Sequence, residues 1–184
     1  MSAHESDPDR GEPALFDFTQ EEAARGWRSI DDVVMGGVSA SRFASTGAGS
    51  AVFEGEVSLE HGGGFASVRS PDSIAEQSGL AGYGGLALDL RGDGRTYKLN
   101  VRLGREFDGL VWQHAFTPPA GERRLVRVRF DELAPTFRGR RVPTPERFDP
   151  THITSLGLVI GDRQGGPFHL ELWRIRAWRA TERR

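Results

Sequence analysis

Hydrophobic and polar residues alternate along most of this chain with a period of two, and runs spaced for a helix are scarce. Leu86, Leu88 and Leu90 alternate with Ala87, Asp89 and Arg91. Tyr97, Leu99, Val101 and Leu103 alternate with Lys98, Asn100 and Arg102, and Val126, Val128 and Phe130 alternate with Arg127 and Arg129. Successive side chains of a strand point to opposite sides, so each run predicts a strand with one buried and one wet face. Further strands are expected around Leu15–Thr19, Val38–Phe43, Ala51–Leu59, Phe65–Arg69, Leu110–Phe116, Ile153–Ile160 and Phe168–Trp178. Clusters such as Gly47-Ala48-Gly49, Gly62-Gly63-Gly64, Pro118-Pro119-Ala120-Gly121 and Gly165-Gly166-Pro167 separate them with turn chemistry. About ten strands at this spacing predict an all-β sandwich or barrel.

Three local expectations sharpen this picture. Gly92-Asp93-Gly94 lies between two alternating runs and predicts a tight hairpin pairing the Leu86 strand with the Tyr97 strand. In the last strand Phe168, Leu170 and Leu172 share one parity while Ile175 and Ala177 take the other, so a β-bulge near Trp173-Arg174 is needed to keep all five inward. Only Gln20–Arg25 reads as helical, at one or two turns, and Pro135 to Pro150 reads as a long ordered loop. The expected organisation is a flexible lead-in over residues 1–13, a single β-sandwich domain over 14–180, and a basic tail over 181–184.

Length and composition narrow the class. A chain of 184 residues fits one domain, and 27% charged residues suit a sheet with one solvated face. A formal charge of -2 provides no bulk attraction to nucleic acid or an anionic membrane, so no nucleic-acid partner is expected. No run approaches the ~20 apolar residues that a membrane span requires. Cysteine is absent, which removes disulfides, thiolate metal sites and a cysteine nucleophile and permits a reducing compartment. Met1 to Pro13 is acidic and polar, unlike a secretory or organelle leader, and the reading is a bacterial cytoplasmic protein. Lys98 is the sole lysine among 24 Lys and Arg residues, a bias ascribed to a GC-rich genome before any function.

The search for catalytic chemistry is short. P-loop, G-x-S-x-G and H-E-x-x-H patterns are absent, the five histidines never take metal-ligand spacing, and neither a cofactor nor a transition metal is expected. A structural calcium held by Asp31, Asp149 or Asp162 stays open. Gly82-Tyr83-Gly84-Gly85-Leu86-Ala87 satisfies a dinucleotide-binding expression, but a strand follows where a helix is required, so it reads as a turn. An enzyme would rest on Asp31, Asp32 and Asp93 being paired in space, and a non-enzyme is the better reading.

The most particular stretch runs from Trp27 through Asp31, Asp32, Met35, Gly36 and Gly37 to Ser39. Aspartates beside a bend accept hydrogen bonds from backbone N–H groups, and a Gly-Gly step lets the chain pass close to another backbone, which describes a structural corner. The sharper reading is a loop around Asp32, Met35 and Ser39 that docks a partner. Arg69, Arg95, Arg138 and Arg140, the last two flanking Gly139, carry forks suited to carboxylate or phosphate, although ties between loops are the simpler role. Asp89, Arg91, Lys98, Asn100, Arg102, Arg127 and Arg129, with Gln113, line one wet surface if their strands share a sheet. That surface is the sugar-binding candidate, but Tyr97 and Trp112 have the inward parity and leave it without an aromatic platform.

Five separated segments carry a resemblance across nearly the whole folded chain. They are Trp27 with Asp31 to Ser39; Phe53-Glu54-Gly55 followed by Gly63 to Arg69; Leu90 to Arg95 with Tyr97; Phe137-Arg138-Gly139-Arg140; and Gly166-Pro167-Phe168. Together they resemble the complex I intermediate-associated protein 30 family. The resemblance implies a galactose-binding-like jelly-roll β-sandwich, the fold of many carbohydrate-binding modules. It also implies a non-enzymatic assembly factor whose partners are complex I subunits or assembly intermediates, with a carbohydrate-binding module as the alternative. Mitochondrial members carry a long N-terminal targeting extension that this sequence lacks, so their organelle and partners do not transfer automatically.

Overall fold

The computed structural model describes residues 12–74, 79–106 and 108–179, with the side chains of Val34 and Met35 excepted. Most of the expected lead-in and the whole basic tail therefore lie outside the described residues. The described residues form thirteen strands: β1 (Ala14–Asp17), β2 (Arg28–Ser29), β3 (Ala40–Ser45), β4 (Ala51–Val57), β5 (Ala66–Arg69), β6 (Gly85–Arg91), β7 (Tyr97–Arg102), β8 (Val111–Phe116), β9 (Arg123–Arg129), β10 (Ala134–Phe137), β11 (Arg140–Arg141), β12 (Ser155–Ile160) and β13 (Gly166–Trp178). One sheet runs β3-β4-β13-β6-β9, with β1 also paired to β13, and the other runs β11-β10-β8-β7-β12-β5-β2.

The period-two pattern becomes a sandwich because the apolar sides of the two sheets face each other. Leu86, Leu88, Leu90, Leu170, Leu172 and Ile175 of the first sheet are fully buried in one cluster with Tyr97, Leu99, Leu158 and Ile160 of the second. Burying each large apolar side chain contributes about 1.5–3 kcal/mol, so this shared layer is the main force joining the sheets.

All ten expected strands are present, and so is the bulge. Leu172 pairs with Leu90 and Arg174 with Asp89, leaving Trp173 as the extra residue, after which Ile175 and Ala177 point inward again. The helical expectation over Gln20–Arg25 appears as a 3-10 turn, Glu21–Ala24.

Three expectations are corrected. Gly92-Asp93-Gly94 does not close a hairpin: β6 pairs with β13 and β9 in the first sheet, whereas β7 pairs with β8 and β12 in the second. The triplet is an arch between sheets, because the two alternating runs bury their apolar sides against each other rather than side by side. Asp93 holds it, accepting from Arg95 N at 3.0 Å, Tyr97 Oη at 2.9 Å and His169 N at 2.9 Å. The stretch from Pro135 to Pro150 is not all loop, since it contributes to β10 and to the edge strand β11.

The third correction concerns the wet face. Asp89, Arg91, Arg127 and Arg129 belong to the outer side of the first sheet, whereas Lys98, Asn100, Arg102 and Gln113 belong to the second. The first of these faces also carries an aromatic, because the bulge places Trp173 there beneath Arg123 and Arg91, at 4.0 and 5.5 Å from the ring centroid.

Candidate functional site

The segment from Trp27 to Ser39 wraps the edge where β3 of one sheet meets β2 and β5 of the other. Trp27 is buried, stacking on Phe43 at 4.4 Å and meeting Phe16 and Phe18 edge-on at 5.1 and 5.8 Å. It anchors the segment and offers no surface to a partner. Beyond it, Asp31 bridges the sheets: its carboxylate accepts from Ser41 N at 2.8 Å and Ser41 Oγ at 2.6 Å on β3, and from Ser67 N at 3.0 Å on β5.

Asp32 is 1% exposed and gathers two loops. It accepts from Ser39 N at 2.9 Å, Ser39 Oγ at 2.6 Å, Gly64 N at 2.7 Å and Phe65 N at 3.4 Å. Burial pushes its pKa up, but the bonds from Ser39, Gly64 and Phe65 outweigh burial and hold it below the usual carboxylate range. Ser39 in turn accepts from Ser58 N at 2.9 Å, tying in the start of the loop from Ser58 to Gly64.

This carboxylate explains the Gly-Gly step. Gly36 ends the 3-10 turn Asp32–Met35 at a φ of 88°, a left-handed conformation that glycine adopts without steric cost. A Cβ on Gly37 would stand 2.3 Å from Asp32 Cγ, so the chain closes over the aspartate only without a side chain there.

The surface this corner presents is apolar. Val33 is 62% and Val38 51% exposed, and Leu59 on the adjoining loop is 41% exposed. The sequence places Val33 within the motif and Val38 and Leu59 at the ends of expected strands, and its docking candidates are Asp32, Met35 and Ser39 rather than these exposed apolar residues. Met35 belongs to the same turn, but its side chain lies outside the description.

The four arginines are not brought together into one cluster. Arg69 donates to Ser155 Oγ at 3.1 Å and Asp72 at 2.9 Å. Arg95 donates to the carbonyls of Gln164 at 2.9 Å and Gly165 at 3.1 Å. Arg138 pairs with Asp108 and lies 5.3 Å from the centroid of Phe137, which is 40% exposed. Its hydrogen bond holds the Asp108 carboxyl below its ordinary range. Arg138 and Gly139 both take positive φ, at 48° and 76°, forming the turn that presents exposed Arg140 at the β10–β11 tip.

A wide-mouthed groove of about 660 Å³ lies across β3, β4 and the start of β13, lined in part by Arg42, Glu54, Asp93 and His169. Arg42 Nε donates to Glu54 at 2.7 Å, and His169 Nδ1 lies 3.0 Å from the same carboxylate. The Arg42 bond holds Glu54 below its usual range.

Asp149 accepts from Thr151 N at 2.9 Å, and Asp162 accepts from Lys98 at 2.6 Å. The three aspartates considered for calcium thus serve separate local bonds. Among the described residues no three His, Asp or Glu side chains gather as a metal would require, and no helix is long and apolar enough to cross a membrane.

The sequence profile of the complex I intermediate-associated protein 30 family matches residues 16–172. The chain is 28% identical over 180 residues to an uncharacterised protein of Schizosaccharomyces pombe, covering 89% of this chain and 82% of that one. It is 25% identical to the mitochondrial complex I intermediate-associated protein 30 of Drosophila melanogaster, over 86% of this chain and 60% of the relative. A probable Caenorhabditis elegans counterpart is 27% identical over 85% of this chain and 51% of its own length. The chain therefore spans just over half of these two animal relatives. Among solved structures, the family 11 carbohydrate-binding module of a Clostridium thermocellum cellulase superposes with a TM-score of 0.67 at 16% identity, covering 94% of this chain and 97% of the module. An agarase superposes at 0.60 and 16% identity, with 94% of this chain covering 25% of the enzyme. Both establish the jelly-roll fold alone.

Proposed function

The chain belongs to the complex I intermediate-associated protein 30 family, and on that premise we propose that it is a non-catalytic protein-binding module serving the assembly of respiratory complex I. The observation that carries this reading is the apolar surface of Val33 and Val38 on a loop locked from behind by Asp31 and Asp32. Exposed apolar residues on a preorganised backbone bind a partner without a large ordering cost. Asp32 and Ser39 are buried, so their part is to hold the loop. The second contact is the Phe137–Arg140 tip, whose aromatic and cations suit the rim of an interface. The proposed location is the bacterial cytoplasm, beside the inner membrane through the partner.

The test is affinity purification of the tagged chain from its own host in mild detergent. Complex I subunits or their assembly proteins are expected with the wild type and absent with a Val33→Asp, Val38→Asp double variant of unchanged melting temperature. A wild-type chain that emerges without a partner overturns the reading.

A second reading, a carbohydrate-binding module, draws on the groove beside Arg42, Glu54, Asp93 and His169, whose polar side chains suit sugar hydroxyls. Binding on a glycan array, lost with Glu54→Ala, is its expected signature.

A further inference from the structure

The outer side of the second sheet carries a cationic cluster separate from both the corner and the groove. Strand register sets Asn100 of β7, Gly157 of β12 and Arg69 of β5 side by side, with Gln113 of β8 beyond Asn100 and Arg28 of β2 beyond Arg69. Arg102 and Ser155 are cross-strand partners two residues along. Because position 157 has no side chain, the row is interrupted at its middle by bare backbone. A Cβ there would stand 2.9 Å from the Val68 carbonyl oxygen and 3.4 Å from Asn100 Cβ.

Among the described residues the charges around this gap are not balanced. The Arg69 side chain is 13% exposed, and it has one carboxylate partner, Asp72. Arg102 is half-buried, and its Nη1 is buried without an acceptor among the described residues. Burial pushes the Arg102 pKa down, and the neighbouring Arg69 charge pushes it further. The carboxylates that act on Arg102, Asp108 and Asp72, are already engaged with Arg138 and Arg69. Gln113 Nε2 donates to Asn100 Oδ1 at 2.7 Å, which leaves the Asn100 amide nitrogen as a donor. A buried donor left unmet beside a like charge is costly, and an anion offsets both terms.

The geometry points to an oxyanion-binding notch between Arg69 and Arg102 over Gly157, taking one phosphate or carboxylate group, with Asn100 as an additional donor. Guanidinium forks match both groups. This site uses none of the docking-loop residues, so it stands or falls apart from the docking reading.

Inorganic phosphate and glutarate are titrated into the full chain at constant ionic strength, following arginine Nε–Hε NMR signals and the melting temperature. Saturable shifts of Arg69 and Arg102 are expected with at least one of them. Tighter phosphate binding identifies a phosphate-bearing ligand, and tighter glutarate binding identifies a carboxylate. Arg102→Met weakens binding by about tenfold or more, the scale of one charge-assisted hydrogen bond. The same variant is at least as stable as the wild type without anion, because it removes the buried cation. Arg124→Met, which alters an exposed arginine paired with Glu122, keeps the wild-type response. The absence of saturable shifts in the wild type, or an anion response unchanged in Arg102→Met, overturns the assignment. The wild-type titration decides the question even if the variant does not fold.

Discussion

At the scale of single residues, Asp32 organises the corner. Asp32→Ala leaves buried donors from Ser39 and Gly64 without their acceptor, and a loss of about 3 kcal/mol or more is expected in urea denaturation. Gly37→Ala drives a Cβ into the same carboxylate and is expected to cost about 2 kcal/mol. The two substitutions act on one contact, so the double variant costs less than their sum; strict additivity in the double-mutant cycle would refute the close approach. The sequence displayed both acids and the Gly-Gly step. It did not display which atoms they meet, since Gly64 and Phe65 lie some thirty residues away and reach Asp32 only through the fold.

At the scale of elements, β13 shows how a parity switch becomes geometry. Deleting Trp173 removes the extra residue and turns either Phe168, Leu170 and Leu172 or Ile175 and Ala177 toward solvent. That deletion is expected to abolish a dispersed NMR spectrum, whereas Trp173→Ala keeps the register and costs about 1 kcal/mol of aromatic and cation contact. The arch at Asp93 supplies a second case. Asp93→Ala releases Tyr97 Oη, Arg95 N and His169 N together, and a lower melting temperature by calorimetry is expected from about 2–3 kcal/mol. Burial, followed by the Asp93 charge, raises the Tyr97 pKa, so the phenol stays protonated and continues to donate. Alternation identified the strands around this arch correctly, but a Gly-Asp-Gly link serves equally between paired strands and between stacked ones.

At the scale of the whole molecule, two sheets share one core and several carboxylates tie distant segments. Asp17, Asp32, Glu54 and Glu171 all have pKa values lowered in the folded chain. A lowered folded pKa contributes stability above the unfolded value, near 4, and that stability is lost as pH falls through the folded value. Urea midpoints are therefore expected to fall between about pH 6 and about pH 3, less steeply in Asp32→Asn; a midpoint independent of pH would contradict these assignments. The sequence by itself determined the all-β class, ten of the strands, the bulge and the buried leucine set, because parity along a strand is a local property. Only the tertiary structure decided that β6 and β7 stack across the core, that the wet residues divide between two outer faces, and that Arg69 and Arg102 flank Gly157. Those facts depend on strand order and register, which are settled by how apolar faces cover one another across the molecule and leave no local trace in the chain.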